Sequence, residues 1–293
     1  MKSTLHKLVV ALGLAAAALT PNLEAADVGT GASFKGPIGL QLYSLRAQFI
    51  ADGVPATLKK VQAFGIKNVE LAGTYNLSAE RFSELLKVHG LTAVSGHFSY
   101  DLYRDNPEKV AADAKALGLK YAGCAWISHE RGKFSEANAH AAAKVFNKAG
   151  EALAKQGIQF FYHCHGYEFQ PHGDGTYMDL LMKETDPKNV AFEMDVFWVV
   201  HPGADPVKYL TQYPGRWQLM HVKDMKKGVK GDFSGGTSDL KNDVAVGTGQ
   251  MNWPAILAAA QKSGVKQYFI EDESPTSEAQ IPESLKHLAS VKF

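Results

Sequence analysis

The chain has 293 residues, of which 45% are hydrophobic and 21% are charged, and its 31 basic side chains nearly balance 30 acidic ones. The formal net charge of +1 excludes a strong electrostatic attraction to nucleic acid or to an anionic membrane as the basis of function. Its length suits one barrel-sized domain or two smaller ones. Two cysteines are too few for a disulfide framework, so we expect buried thiols.

The N-terminal segment 1–26 has the pattern of a secretory signal peptide. Lys2 and Lys7 precede an apolar stretch over residues 8–19, and two small alanines follow before the segment ends. The apolar stretch is too short to span a bilayer comfortably. We therefore predict a cleaved signal peptide, a short extension over residues 27–37, and an exported protein without stable membrane insertion. It would be periplasmic in a cell with two membranes and secreted otherwise.

From residue 38 onward, apolar runs of strand length alternate with helix-patterned segments. The predicted strands cover residues 38–43, 68–71, 92–97, 121–126, 159–163, 190–195, 218–221 and 268–271. Five of the helix-patterned segments are each followed by a glycine, the residue that most often ends a helix. These are Gly65, Gly90, Gly118, Gly157 and Gly264. Eight strands alternating with helices predict an α/β fold, a (β/α)₈ TIM barrel that forms a single domain over residues 38–293. An open doubly wound sheet would usually carry a glycine-rich phosphate loop, and none follows the first predicted strand.

Four side chains that readily bind divalent metals lie at or just after the ends of the last four predicted strands. They are Glu168, Asp195, His221 and Glu271. The carboxyl ends of all strands meet at one face of a parallel barrel, so these groups would converge there. Three carboxylates would repel one another if they were buried without a cation. Together with one imidazole they suit Mn²⁺, Mg²⁺, Co²⁺ or Zn²⁺, and we predict a divalent metal site with Mn²⁺ favoured.

Further polar and aromatic side chains near the strand ends are candidate substrate contacts. They are Glu70, His97, Trp126, His163, His165, Trp198 and Lys223. Sugar sites use aromatic walls because C–H faces pack on indole while hydroxyls find hydrogen-bond partners. Lys223 would share one side of an extended chain with His221 and so face the substrate. The alternative is that Lys223 forms an ion pair with Asp224 on a loop. The other candidates could be packing residues, or, for the histidine pair, zinc ligands. The glycine-rich segment 226–249 is either a lid or a solvated loop.

Several strings in these regions resemble motifs of the sugar phosphate isomerase/epimerase family of xylose-isomerase-like barrels. They are YHCHGYEF at 162–169, DVFWVV at 195–200, HVKD at 221–224, VGTG at 246–249 and FIE at 269–271. The resemblance covers nearly the whole mature chain. It implies that Glu168, Asp195, His221 and Glu271 hold a divalent metal. The chain departs from the family pattern at Cys164, Trp198 and Asp272, where asparagine, histidine and glutamine are common.

These observations predict a metal-dependent enzyme, an isomerase or epimerase (EC 5) or a carbon–oxygen lyase (EC 4). The leading hypothesis is proton transfer next to a sugar carbonyl, with Glu168 and Glu271 as the catalytic acid–base pair. The main alternative is a 3-keto-glycoside lyase or hydratase on the same barrel. A phosphodiesterase and a non-catalytic sugar-binding protein are further alternatives. Because sugar phosphates are mainly cytoplasmic, the export signal favours a non-phosphorylated carbohydrate substrate. A homo-oligomer is left open.

Overall fold

The computed structural model describes residues 27–236 and 238–293. The predicted signal peptide over residues 1–26 lies outside the described residues, so export stays a prediction. Within the part that is described, no helix is both long and apolar enough to cross a membrane.

Eight parallel strands of the described chain close into a barrel, which confirms the predicted fold. In chain order they are β1 (Ile38–Gln41), β2 (Asn68–Leu71), β3 (Thr92–His97), β4 (Tyr121–Cys124), β5 (Gln159–His163), β6 (Val190–Asp195), β7 (Trp217–Val222) and β8 (Gln267–Ile270). Each strand pairs with its neighbours in the chain, and β1 closes the ring against β8 with Ile38 opposite Tyr268.

Helices follow the strands along the described chain. They are α1 (Arg46–Ala51), α2 (Val54–Ala63), α3 (Ala79–Val88), α4 (Tyr100–Asp105), α5 (Pro107–Ala116), α6 (Glu136–Ala154), α7 (Tyr177–Glu184), α8 (Val196–Val200), α9 (Pro206–Gln212), α10 (Trp253–Ser263) and α11 (Ser277–Ser290). The longest of them, α6, begins with a capping box in which the side chains of Ser135 and Asn138 each accept a hydrogen bond from the other's backbone N–H. The five glycines predicted to end helices all have positive φ angles, as at Gly264, where φ is 91°.

The barrel interior is layered because inward-facing residues alternate along each strand. An apolar layer is formed by Val94, Tyr121, Phe161, Ala191, Leu219 and Phe269. Two residues further along β5, β6 and β7 come His163, Glu193 and His221, which are all buried. The apolar layer is therefore the floor of a polar region at the carboxyl ends of the strands. Both cysteines are buried free thiols, as expected.

The packing of Gly123 against Phe161 provides a test of this interior. A Cβ added to Gly123 in β4 would overlap the fully buried ring of Phe161 in β5. Gly123→Ala should therefore lower the free energy of unfolding by about 1–3 kcal/mol in urea denaturation. Phe161→Leu in the same chain removes the ring edge, so the double variant should lose less than the sum of the two single variants. Additive losses would contradict the close contact.

Candidate metal centre and substrate cavity

Four buried side chains, from β5, β6, β7 and the residue after β8, bring their ligand atoms together. They are His163, Asp195, His221 and Glu271, whose atoms lie within 4.8 Å of one another. His221 Nδ1 lies 3.0 Å from His163 Nε2 and 3.2 Å from Glu271 Oε2. Asp195 Oδ2 lies 3.5 Å from His163 Nε2 and 3.6 Å from His221 Nδ1. This group, the first cluster, contains three of the four ligands predicted from the sequence.

Asp195 is directed at the first cluster by its position between a strand and a helix. It is the last residue of β6 and the N-cap of α8, and its Oδ1 accepts a hydrogen bond from Trp198 N at 3.0 Å. Its other oxygen, Oδ2, is buried and has no hydrogen-bond partner among the described residues. Such an atom is costly to bury. It fits the role of a cation ligand, and two imidazoles with two carboxylates form a set that divalent transition metals accept.

Glu168 does not join the first cluster. It lies in the 3₁₀ turn Tyr167–Phe169, where the Tyr162 hydroxyl donates a hydrogen bond to its carboxylate. The His165 backbone N–H donates to the same group at 3.0 Å. Burial raises the pKa of Glu168 to about 7. The carboxylate therefore anchors the turn after β5, and His163, the last residue of that strand, stands in the cluster where the sequence analysis predicted Glu168.

A second cluster lies on the other side of the His221 imidazole. It consists of Glu70, His97, Glu193 and His221. His221 Nε2 lies 2.7 Å from Glu70 Oε1 and 3.2 Å from Glu193 Oε2. His97 Nε2 lies 3.2 Å from each of the same two oxygens. Glu193 is not among the residues predicted from the sequence, although it precedes Asp195 by two residues and so faces the same side of β6.

Opposite charges compensate one another across the two clusters. Burial opposes ionisation of Glu70, but the neighbouring His97 and His221 outweigh it and hold the pKa of that carboxyl low. Burial is likewise outweighed at Glu271, whose pKa is lowered by Lys223 and His221. In return, and against the effect of burial, Glu70 and Glu193 raise the pKa of His97 to about 10. The surrounding charges therefore hold Glu70, Glu271 and His97 in their ionised forms.

Lys223 and Asp224 each have partners of their own. Lys223 Nζ is buried and lies 3.1 Å from Glu271 Oε2 and 2.6 Å from Glu273 Oε1. Asp224 Oδ2 accepts hydrogen bonds from Gly247 N at 2.8 Å and from the indole of Trp253 at 2.9 Å. Lys223 therefore places a positive charge beside the first cluster, while Asp224 fastens the end of the long loop after β7.

A cavity of about 310 Å³ opens above the first cluster. Five of the predicted substrate contacts line it, namely His97, Trp126, His163, His165 and Trp198. The other two, Glu70 and Lys223, are buried and contact the clusters instead. Gly236 also lines the cavity, so the segment 226–249 reaches the mouth of the site. The His165 ring lies 5.6 Å from that of Trp126 and 5.7 Å from that of Trp198, measured between centroids.

Comparison with known proteins identifies the family. The family model for xylose isomerase-like TIM barrels matches residues 58–291. The chain belongs to this family. The match covers most of the described barrel and confirms the resemblance found in the sequence.

Individual relatives show how far the similarity extends. A sugar phosphate isomerase/epimerase from Parabacteroides distasonis is 28% identical, with a TM-score of 0.71 over 87% of this chain and 98% of that one. The inosose dehydratase of Geobacillus thermodenitrificans is 26% identical over 131 residues, 42% of this chain and 43% of that protein. A protein named IOLI, whose structure holds a zinc atom, shares the fold at 15% identity and a TM-score of 0.64, over 86% of this chain and 94% of that one.

The matches to curated inosose dehydratases span less than two thirds of those proteins, 61% at most among them. The names of a dehydratase and of an isomerase/epimerase agree with the prediction of an enzyme of class EC 4 or EC 5.

The raised pKa of Glu168 predicts a pH-dependent stability difference. The folded-state pKa of about 7 exceeds the ordinary value of 4.5. Between those two values the unfolded chain releases a proton that the folded chain keeps, so this group lowers wild-type stability as the pH rises through that window. Glu168→Gln cannot ionise. Its unfolding free energy relative to wild type should rise by up to about 3 kcal/mol from acidic to alkaline pH. A difference that is constant from pH ~4 to ~8 in urea denaturation would contradict this.

Proposed function

We propose that this protein is a divalent-metal-dependent enzyme that removes a proton next to the carbonyl group of a non-phosphorylated sugar derivative. The observation that carries the proposal is the convergence of His163, Asp195, His221 and Glu271 beneath a cavity with aromatic walls. A divalent cation held there would supply Lewis-acid polarisation of a substrate carbonyl oxygen. Active sites of such barrels lie at this face.

The ligand set bears on which metal is held. Three carboxylates and one imidazole, the set predicted from the sequence, favour Mn²⁺. In the first cluster His163 supplies a second imidazole, and nitrogen ligands suit Zn²⁺ and other late transition metals better than Mg²⁺. We therefore propose Zn²⁺ or Mn²⁺. The zinc atom in the structure of the IOLI protein is in line with this choice.

Glu271 is the proposed base. Glu271 is the member of the first cluster whose carboxylate also lies beside Lys223, and it lines the cavity, where a substrate carbon would be bound. Lys223 Nζ, 3.1 Å away, helps to keep it ionised, which is the form that accepts a proton. His165 stands nearby between two indole rings, and burial, with the adjacent His163, holds its pKa well below the usual value. Its Nδ1 lies 3.2 Å from Nδ1 of His163, so the neutral ring offers its other nitrogen, Nε2, to a substrate hydroxyl.

Elimination is the outcome that this arrangement favours. Epimerisation needs proton removal on one face and return on the other, the task that the sequence analysis assigned to Glu168 and Glu271. Glu168 is buried in its turn and is not among the described residues that line the cavity. Elimination needs one base and a hydrogen-bond donor at the leaving group, which Glu271 and His165 would supply. The C–H proton passes to Glu271, the electron pair of that bond forms the C=C bond, and the β C–O bond breaks. The leaving oxygen takes up a proton, from Glu271 or from solvent, and departs as an alcohol or as water, so that an unsaturated ketone remains.

The names of relatives support both outcomes. The name inosose dehydratase describes a loss of water, which is an elimination. The Parabacteroides structure is named as an isomerase/epimerase, so reprotonation of the same intermediate is the second candidate. Both share the first proton transfer.

The cavity lining favours a neutral substrate. Among its described residues are two carboxylates, Glu271 and Glu273, and no lysine or arginine that could pair with a phosphate. Tyr43, Trp126 and Trp198 offer ring faces for the C–H surfaces of a sugar. The predicted export signal points the same way, and we include an exported location in the proposal.

Solvent deuterium exchange tests the reaction. The protein, supplied with Zn²⁺ or Mn²⁺, is incubated in D₂O with 3-keto-glucosides and with free ketoses, and products are followed by NMR. We expect deuterium next to the carbonyl and, from the keto-glucosides, release of the leaving group. Glu271→Gln, assayed with enough metal to keep the site filled, should slow both by about 10²–10⁴-fold.

Glu168→Gln is the matched comparison, because it removes the other carboxylate that the sequence analysis made catalytic. It should keep most of the exchange rate. An equal loss in both variants would restore the two-glutamate mechanism. Absence of exchange with every carbonyl sugar would exclude proton transfer altogether.

A further inference from the structure

We infer that Glu70 is a positioning residue of the metal centre, which holds the ring proton of His221 on Nε2 and so leaves Nδ1 free to bind the cation. This inference rests on the proposed metal centre. His221 belongs to both clusters, one through each ring nitrogen. A neutral imidazole carries its proton on one nitrogen and a lone pair on the other. The position of that proton decides which cluster His221 can serve as a ligand.

The distances favour Nε2 as the nitrogen that carries the proton once Nδ1 binds the cation. Nε2 is hydrogen-bonded to Glu70 Oε1 at 2.7 Å. Nδ1 faces the atoms of the first cluster, His163 Nε2 at 3.0 Å and Glu271 Oε2 at 3.2 Å. Histidines that bind a metal through one nitrogen almost always donate the other N–H to a carboxylate, a carbonyl or water. Glu193 Oε2 lies further from Nε2, at 3.2 Å, and is hydrogen-bonded to His97 instead.

Glu70 is itself fixed by donors from the two adjacent strands. Gln41 in β1 donates a hydrogen bond to Oε1 at 2.7 Å, and Ser95 in β3 donates one to Oε2 at 2.5 Å. The carboxylate is completely buried. Its oxygens are thus already occupied by protons from Gln41, Ser95 and His221. That environment suits an oriented hydrogen-bond acceptor and leaves little capacity for a second cation in the second cluster.

Two variants separate the hydrogen bond from the charge. Glu70→Gln and Glu193→Gln each remove one buried carboxylate charge near His221 Nε2, with almost no change of shape. Glu70→Gln should weaken Zn²⁺ binding about 10- to 100-fold, measured by competition with a chromophoric chelator. Glu193→Gln should weaken it clearly less. Ser95→Ala keeps the charge of Glu70 but removes the hydrogen bond that fixes its carboxylate. It should weaken Zn²⁺ binding to an intermediate extent, and it replaces Glu70→Gln in the test if that variant does not fold.

A spectroscopic measurement reports on the proton itself. In Zn²⁺-loaded protein with ¹⁵N-labelled histidine, the Nε2–H of His221 should exchange slowly with water in wild type and in Glu193→Gln. It should exchange faster in Glu70→Gln. A purely structural role of Glu70 would not predict this difference between two equally conservative changes.

The outcomes are distinct. Equal effects of Glu70→Gln and Glu193→Gln on affinity would overturn the role of Glu70. Two tightly bound ions per wild-type chain would also overturn it, because the second cluster would then be a metal site of its own. A wild-type protein that binds no divalent cation would overturn the proposed metal centre itself. A wild-type protein that binds one ion, with an affinity that does not change in Glu70→Gln, would overturn only the role of Glu70.

Discussion

Four buried carboxylates belong to the two clusters of the described chain, and the need to compensate their charge governs the rest of the site. They are Glu70, Glu193, Asp195 and Glu271. Ionised carboxylates held this close in a region of low dielectric require positive charge or protons nearby. Imidazoles and the Lys223 ammonium supply part of that charge. A divalent cation in the first cluster would supply more, at the point where Asp195 Oδ2 has no partner among the described residues.

The barrel geometry makes this arrangement from simple alternation. β6 contributes Glu193 to one cluster and Asp195 to the other because they are two residues apart on one face of the strand. β7 contributes His221, whose two ring nitrogens join the clusters. The apolar layer beneath keeps water away, which strengthens every charge interaction above it. The aromatic cavity then lies directly over ionised groups, where a carbonyl compound can be bound and deprotonated.

The sequence predicted the barrel and three of the proposed ligands because parallel strands all end at one face. It predicted correctly that β5 ends at His163, but the choice between His163 and Glu168 depends on the conformation of the turn that follows. The strand ends at His163, the chain turns at Gly166 with a φ of 100°, and Glu168 becomes an anchor of the turn. Glu193 could have been found, because alternation from Asp195 places it inward. Contacts between side chains on different strands, such as that of His221 with Glu70, depend on the tertiary fold and cannot be read from the spacing of residues in the sequence.

Anomalous diffraction from crystals of the protein loaded with Zn²⁺ or Mn²⁺ tests the central claim most directly. The account predicts one ion bound by His163 Nε2, Asp195 Oδ2, His221 Nδ1 and Glu271, with Glu168 still hydrogen-bonded within its turn. An ion held by Glu168, an ion in the second cluster in place of the first, or no ordered ion at all would contradict it.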